Sequence, residues 1–594
     1  MTSSALLEKR KSGVLAPLFS VYSKDSCGIG DLGDLKLLLD WCAFTRNSIL
    51  QLLPMNEVGS VYCPYDSLSS FALEPSYISL EKLPASSDRS IRIEIDNLKR
   101  NFPCGRGERV DYALKKEKLR ILKAMYLRWD HSDSLELKRF AQENSYWLGD
   151  FALYKVLKDR HNGAAWYEWE DKYKNRDSLA LEAFGIEHEE EVNFQMWVQW
   201  QLGLQFKAAK AYAESRDIAL KGDLPILVSR DSADVWAHPQ FFKLEFAAGA
   251  PPDMYCAKGQ RWGMPTYKWD VIAADGYRYL KEKLKYAENF YHILRIDHVV
   301  GLFRIWSIPY AQPAEDQGLH GFFDPFNEGE WADHGRKILS VMQDSTNMLL
   351  CAEDLGVIPR ACPEALKDFN IPGNDVQRWV KDWKVTHDFL PAEEYRILSV
   401  AMLSTHDTTN WAAWWENEAG TVDEALFMRK CAERGIDYSR VKAELFDFSL
   451  SRRGRLRWKN EIASSDKLVW ILGKRKEEVG DFIELYDNSY REKELLWRHF
   501  GIPTPMREES DRQIVRAAFT MVLDSTAVFC INTIVDWLYL ANTFKGDPYE
   551  HRINTPGTVS KFNWSLAIPL PLEDLLKNSL GRLIREMVIS SARS

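Results

Sequence analysis

The chain has 594 residues, 45% hydrophobic and 27% charged, the balance of a globular protein able to bury a large core. Its 86 acidic residues outnumber 77 basic ones, and the net charge of −9 argues against nucleic acid as a partner. No run approaches 18 apolar residues; the best, Met521 to Leu540, is broken by Asp524 and Asp536, so no membrane span is expected.

Met1 to Val14 lacks the apolar core of a secretory leader. The nine cysteines are an odd count with no Cys-x-x-Cys pair, which fits reduced thiols and a cytoplasmic location. Cys351 and Cys530 lie in apolar runs and read as small core residues, while Cys256 sits in a loop.

Along the chain, strand-like runs alternate with helical patterns, which predicts parallel βα units. Val14 to Val21 reads as the first strand. Asp34 to Phe44 reads as a helix, with Leu35, Leu38, Leu39 and Cys42 at helical spacing. Ser48 to Leu53 reads as the second strand and Ile218 to Val228 as the third. Residues 84–203 are rich in Lys, Glu, Arg and Trp and too long for one barrel connection, so they read as a helical insertion. Trp197, Trp200 and Leu204 form a stripe at its end, read as packing. Residues 416–511 turn charged and helical again around Arg452-Arg453-Gly454-Arg455 and read as a second helical insertion, a solvated subdomain. Val528 to Thr533 reads as the last strand. The expected fold is α/β, a (β/α)8 TIM barrel with mainly helical insertions. Its barrel portions are 1–83, 204–415 and 512–594.

Three strand-like runs end in acids. Tyr291 to Leu294 leads into Arg295-Ile296-Asp297-His298. Met348 to Leu350 leads into Cys351-Ala352-Glu353-Asp354, and Val400 to Leu403 into Ser404-Thr405-His406-Asp407. From Asp297 to Glu353 is 56 positions, and from Glu353 to Asp407 is 54. In a parallel barrel such strand ends converge on one face, where the chemistry sits. Glycosidic bond cleavage needs one carboxylic acid to protonate the leaving oxygen and one carboxylate to attack the anomeric carbon. Arg295 lies two residues before Asp297, hence on the same strand face, and is expected to keep that carboxylate ionised and to lower its pKa. An Arg–Asp pair could equally close a barrel, but the two further acidic ends favour an active site.

The motifs resemble those of the 4-alpha-glucanotransferase family, also called amylomaltase or disproportionating enzyme, a branch of the alpha-amylase superfamily. The resembling segments run in order through most of the chain. They are Gly28-Ile29-Gly30-Asp31-Leu32-Gly33, Cys63-Pro64-Tyr65, Gly222-Asp223-Leu224-Pro225, Asp231 to Trp236, Pro251-Pro252-Asp253, Gly259 to Gly263, Asn554 to Thr558 and Asn563-Trp564. The resemblance implies that Asp297 is the nucleophile, Glu353 the general acid/base and Asp407 the third acid. It also implies that Asp223, Arg295 and His406 hold the donor sugar, and that Tyr65, Asp253 and Trp262 contact the glucan in a groove. Three positions depart from the usual pattern: Met264 after Trp262-Gly263, Thr408-Thr409 after the third acid, and Val535 before Asp536.

The expected activity is retaining transfer of an alpha-1,4-glucan segment to the 4-hydroxyl of an acceptor through a glycosyl-Asp intermediate. Malto-oligosaccharides, glycogen or starch would be the partners. The rivals are a hydrolase of the same superfamily and, more distantly, a non-catalytic glucan-binding protein. The scattered histidines lack metal-ligand spacing, so neither metal nor other cofactor is expected. The sequence leaves the oligomeric state open.

Overall fold

The computed structural model describes residues 3–105, 109–129, 134–252 and 258–593. Eight short strands form one sheet: β1 Lys11–Leu15, β2 Ile49–Gln51, β3 Ala219–Leu224, β4 Ile293–Ile296, β5 Leu349–Ala352, β6 Gly373–Val376, β7 Ser399–Met402 and β8 Phe529–Thr533. All pairings are parallel, and the order β5-β4-β3-β2-β1-β8-β7-β6 sets sequence neighbours side by side, with β8 returning to β1. At the remaining seam the Ala352 N–H donates to the Pro372 carbonyl at 2.8 Å, and the Asn374 N–H donates to the Asp354 carboxylate at 2.6 Å. Arg396 clamps the same seam, 2.6 Å from Asp354 and 2.7 Å from Asp375. The fold is the (β/α)8 barrel that the alternation predicts.

Strand ends follow backbone chemistry. The first strand lies earlier than the predicted Val14 to Val21, and Leu18–Ser20 is a 3-10 turn instead. Pro17 has no N–H to give the ladder, which stops before it. Likewise β3 stops at Leu224, one residue before Pro225, short of the predicted Val228. The first barrel helix, Leu35–Thr45, buries Leu35, Leu38, Leu39 and Cys42, the face its spacing marks out.

Within 84–203 the chain forms helices Arg89–Asn101, Leu114–Tyr126, Ser134–Glu143, Leu148–Arg160 and Ser178–Glu187. The boundary placed at residue 203 falls inside the long helix Glu189–Ser215, which runs directly toward β3. On that helix Trp197 and Trp200 are buried against Trp129, but Leu204 is 44% exposed and outside the packed stripe.

Residues 416–511 hold more than helices. Thr421–Asp423, Phe446–Arg452 and Arg455–Trp458 form a three-stranded antiparallel sheet beside the helices Glu424–Glu433, Tyr438–Leu445, Ser465–Leu472, Gly480–Asp487 and Glu492–Phe500. Phe427 meets Phe446 at 5.0 Å and Phe482 at 5.1 Å between ring centres, inside a core separate from that of the barrel. The alternation Phe446-Asp447-Phe448-Ser449-Leu450-Ser451 carries the strand signal, but the charged flanks obscure it. A second antiparallel sheet, of Phe246–Ala250, Gln260–Arg261, Ile305–Pro309 and Phe322–Asp324, borders the cleft described next. Among the described residues no helix is long and apolar enough to cross a membrane.

Candidate active site

Asp297 and Glu353 each stand one residue past a strand end, and those ends are in register: Ile296 of β4 lies opposite Ala352 of β5. The Asp297 N–H donates to the Leu224 carbonyl at 3.1 Å and the Glu353 N–H to the Ile296 carbonyl at 2.9 Å. Parallel pairing therefore sets both carboxyls at one level of the barrel mouth. Asp407 follows β7 by five residues and joins them on the wall of a cleft of about 1360 Å³.

Arg295 is the hub. It is buried on β4 opposite Asp223 of β3, and its Nη1 lies 2.6 and 2.7 Å from the two Asp223 oxygens. The same nitrogen donates to Asp297 Oδ1 at 2.8 Å. Tyr65 OH donates to Asp223 at 2.8 Å, and its ring stacks on His406 with centres 5.1 Å apart. His406 Nε2 lies 3.4 Å from Asp407 Oδ2, while the Asn554 amide donates to Asp407 Oδ1 at 2.7 Å. Trp564 packs beside both Tyr65 and His406. Trp262 lines the same cleft, edge-on to His298 at 4.9 Å.

These surroundings separate the three acids. Loss of solvent pushes Glu353 up to about 8; Arg295 opposes this and Asp297 adds to it. Asp297 is also raised, to about 6, because enclosure and the neighbouring Asp223 and Asp407 outweigh Arg295 and His406. The guanidinium thus limits the rise without reversing it, contrary to the expectation that it holds Asp297 low. Enclosure would raise Asp407 too, but His406 and the Asn554 amide bring it down to about 2. Burial lowers His298 to about 4 and leaves its ring neutral. Near neutrality the site holds a protonated Glu353 beside ionised Asp297 and Asp407.

The model of the 4-alpha-glucanotransferase family matches residues 16–571. The chain belongs to the 4-alpha-glucanotransferase family. The enzyme of that name from Chlamydia muridarum is 30% identical over 582 residues, covering 96% of this chain and 93% of its own. That from Thermus thermophilus is 33% identical, over 69% of this chain and 81% of its own. Among solved structures, the amylomaltase of Streptococcus agalactiae in complex with acarbose superposes with a TM-score of 0.71. It is 22% identical, over 99% of this chain and all of that one. The amylomaltase of Corynebacterium glutamicum gives a TM-score of 0.73 at 20% identity, over all of this chain and 76% of that one. At those identities the two structures speak to the fold alone. The 4-alpha-glucanotransferase chain is an enzyme of glucan transglycosylation, and the superfamily hydrolase is not the favoured reading.

Of the residues singled out in the sequence, the structure gathers Asp297, Glu353, Asp407, Arg295, His406, Tyr65 and Trp262 on the wall of one cleft, with Asp223 buried behind Arg295. Asp253, with Cys256, lies outside the described residues. Sequence reasoning assigned no role to Asn554, though its motif was visible; it meets Asp407 across 147 positions of chain. Nor did it find the His298 backbone. His298 is left-handed, at φ 46°, and this turns its N–H to donate to Glu353 Oε2 at 2.7 Å. No sequence signal marks a positive φ at histidine. The departures from the family pattern have local partners. The Met264 carbonyl accepts the Ala248 N–H at 2.7 Å, Thr409 Oγ1 accepts from Arg378 at 3.0 Å, and Val535 is buried beside Asp536, which accepts the Trp411 N–H at 2.8 Å. Among the described residues no group of three or more His, Cys, Asp or Glu side chains is arranged to hold a metal.

Proposed function

We propose that this glucanotransferase breaks an alpha-1,4 bond of a malto-oligosaccharide, glycogen or starch chain with Asp297 as nucleophile and Glu353 as general acid/base. Asp297 attacks the anomeric carbon while the Glu353 proton passes to the leaving 4-oxygen, so one chain departs as an alcohol and the other stays as a glycosyl ester. Glu353, now a carboxylate, takes the proton of an incoming 4-hydroxyl, and that oxygen displaces Asp297 with net retention. Asp407, ionised and held by His406 and Asn554, accepts hydrogen bonds from sugar hydroxyls and favours the distorted ring of the transition state. Asp223 and Tyr65 fix Arg295, which fixes Asp297. Trp262 offers an aromatic face to a sugar ring. We place the enzyme in the cytoplasm, a reading that its free thiols support.

The observation that carries this reading is the level pairing of Asp297 and Glu353, with Asp297 the more acidic of the two. The test is incubation with maltotriose alone, products being followed by chromatography. A ladder of longer maltodextrins with glucose, little rise in total reducing ends, and loss of all turnover in Asp297→Asn are expected. Maltose and glucose without a ladder would replace transfer by hydrolysis. Full turnover in Asp297→Asn would remove the nucleophile assignment.

A further inference from the structure

The second insertion lines one side of the cleft, and its motif Arg452-Arg453-Gly454-Arg455 sends Arg453 and Arg455 to that wall. Arg452 pairs with Arg455 across a hairpin whose two-residue turn is Arg453-Gly454. Both turn residues are left-handed, at φ 54° and 72°. A turn of this kind favours Asn-Gly, and the strain of a positive φ weighs against arginine there. Arginine is there nonetheless, and its guanidinium has somewhere to go. It pairs with Asp547 and lies over the Tyr549 ring, 4.4 Å from its centre.

Tyr549 leads on to the catalytic acids. A second guanidinium, Arg552, lies against the same ring at 5.5 Å and reaches its hydroxyl at 3.4 Å. Arg552 Nη2 donates to the Asp407 carbonyl at 3.2 Å and its Nε to the Asn554 carbonyl at 3.1 Å. The Asn554 amide in turn donates to the Asp407 carboxylate at 2.7 Å. From the barrel side, Asn410 holds the same loop through the Pro548 carbonyl at 2.7 Å, and Tyr539 OH meets His551 Nδ1 at 2.6 Å. Residues 547–554 are therefore gripped by the barrel at one side and by the insertion hairpin at the other.

We propose that Arg453 is a positioning residue for glucan transfer: the insertion hairpin clamps the 547–554 loop through Arg453, Asp547 and Tyr549, and so holds Arg552 and Asn554 against Asp407. This rests on the role given to Asp407 above. An ion pair as exposed as Arg453–Asp547, with 37% and 38% of each side chain open to water, contributes little to stability. Its effect is on placement. Small displacements of groups that bind the transition state are costly, so the clamp acts on turnover while substrate binding is largely retained. With two guanidinium groups against its ring, Tyr549 serves as a spacer between cations, not as an open platform for a sugar.

The experiment compares Arg453→Asn, Arg453→Lys and Tyr549→Leu in the full-length enzyme, with maltotriose and with a longer maltodextrin as donor. Asparagine keeps the left-handed turn and removes only the cation, so the hairpin still folds, which near-native melting verifies. The expected result is a fall in kcat of about ten-fold in Arg453→Asn, equal for both donors, with KM within about two-fold. Lysine, which can still pair with Asp547 and lie over the ring, restores most of the loss. Arg453→Asn combined with Tyr549→Leu is no worse than the more damaging single change, since both break one chain of contacts. An unchanged kcat in Arg453→Asn overturns the clamp. So does a KM defect confined to the longer donor, which would make the hairpin a glucan-binding wall. Asp407→Asn is measured alongside: full activity there sinks the role of Asp407, whereas a dead Asp407→Asn with an active Arg453→Asn sinks the clamp alone.

Discussion

Asp297 and Glu353 are both carboxyls at the mouth of one barrel, and the different work proposed for them rests on what surrounds each. Arg295 bonds directly to Asp297, while Glu353 receives a single backbone N–H from His298. Both are raised by enclosure, to about 6 and about 8, and the charge of Asp297 adds to the rise at Glu353. The sign follows from the proposed roles. Below about 6, Asp297 takes up a proton and stops attacking; above about 8, Glu353 loses the proton that the leaving oxygen needs. The profile of kcat/KM against pH is therefore expected to be bell-shaped, with its acid limb near 6, its alkaline limb near 8 and a maximum near 7. Rates still climbing at pH 9 would contradict Glu353 as the acid. The identities of all three acids were legible in the sequence. Their ionisation was not: Arg295-x-Asp297 suggested a lowered carboxyl, and the burial that overrides the arginine belongs to the assembled cleft.

At the scale of elements, backbone rules account for the boundaries. Pro17 and Pro225 end strands whose apolar runs continue past them. Apolar pattern alone overran both, since hydrophobicity reports burial and the ladder needs N–H groups. The reverse error occurs at Phe446–Arg452, where alternation was present but Lys- and Glu-rich flanks read as helix. Glycines mark where chain meets chain. In the Gly28-Ile29-Gly30-Asp31 segment, a Cβ on Gly30 would lie 2.1 Å from both the Leu18 and Val21 carbonyl oxygens. Neither is a movable side-chain end. Gly30→Ala is expected to destabilise the enzyme by roughly 2–3 kcal/mol, read as a lower midpoint in chemical denaturation. An unchanged midpoint would mean that the 18–21 turn yields freely.

Among the described residues the molecule has two apolar cores, one in the barrel with the 84–203 helices, which Leu496 and Trp497 of the second insertion also join, and one in the rest of that insertion. Beside that packing, charged groups tie the insertion to the barrel and brace it from within. Lys381 of the barrel pairs with Glu492 of the insertion, which also accepts the Gly420 N–H at 2.6 Å, and within the insertion Glu508 takes Lys493 at 2.5 Å and Arg457 at 3.3 Å. Buried charges fix geometry strongly once paired but add little net stability. The insertion should thus melt with some independence. Phe427, fully buried at its centre, is the lever. Phe427→Ala is expected to cost the insertion roughly 3–5 kcal/mol and to split calorimetric unfolding into an early transition and an unshifted barrel transition. A single transition moving as one would show that the two cores unfold together.

The sequence alone determined the barrel, and it marked out the three acids and most of the residues gathered beside them in the cleft. Strand alternation, carboxylates at strand ends and ordered motifs are local, and each survives being read without its neighbours. The tertiary structure decided what depends on distant segments meeting. It turned the His298 N–H toward Glu353, brought Asn554 to Asp407 and set the carboxyls to titrate apart. It also laid Arg453 of the insertion on the loop that holds the third acid. Hydrogen bonds, solvent exclusion and charge coupling act through space over a few ångströms, and nothing in the order of residues along the chain reports those distances.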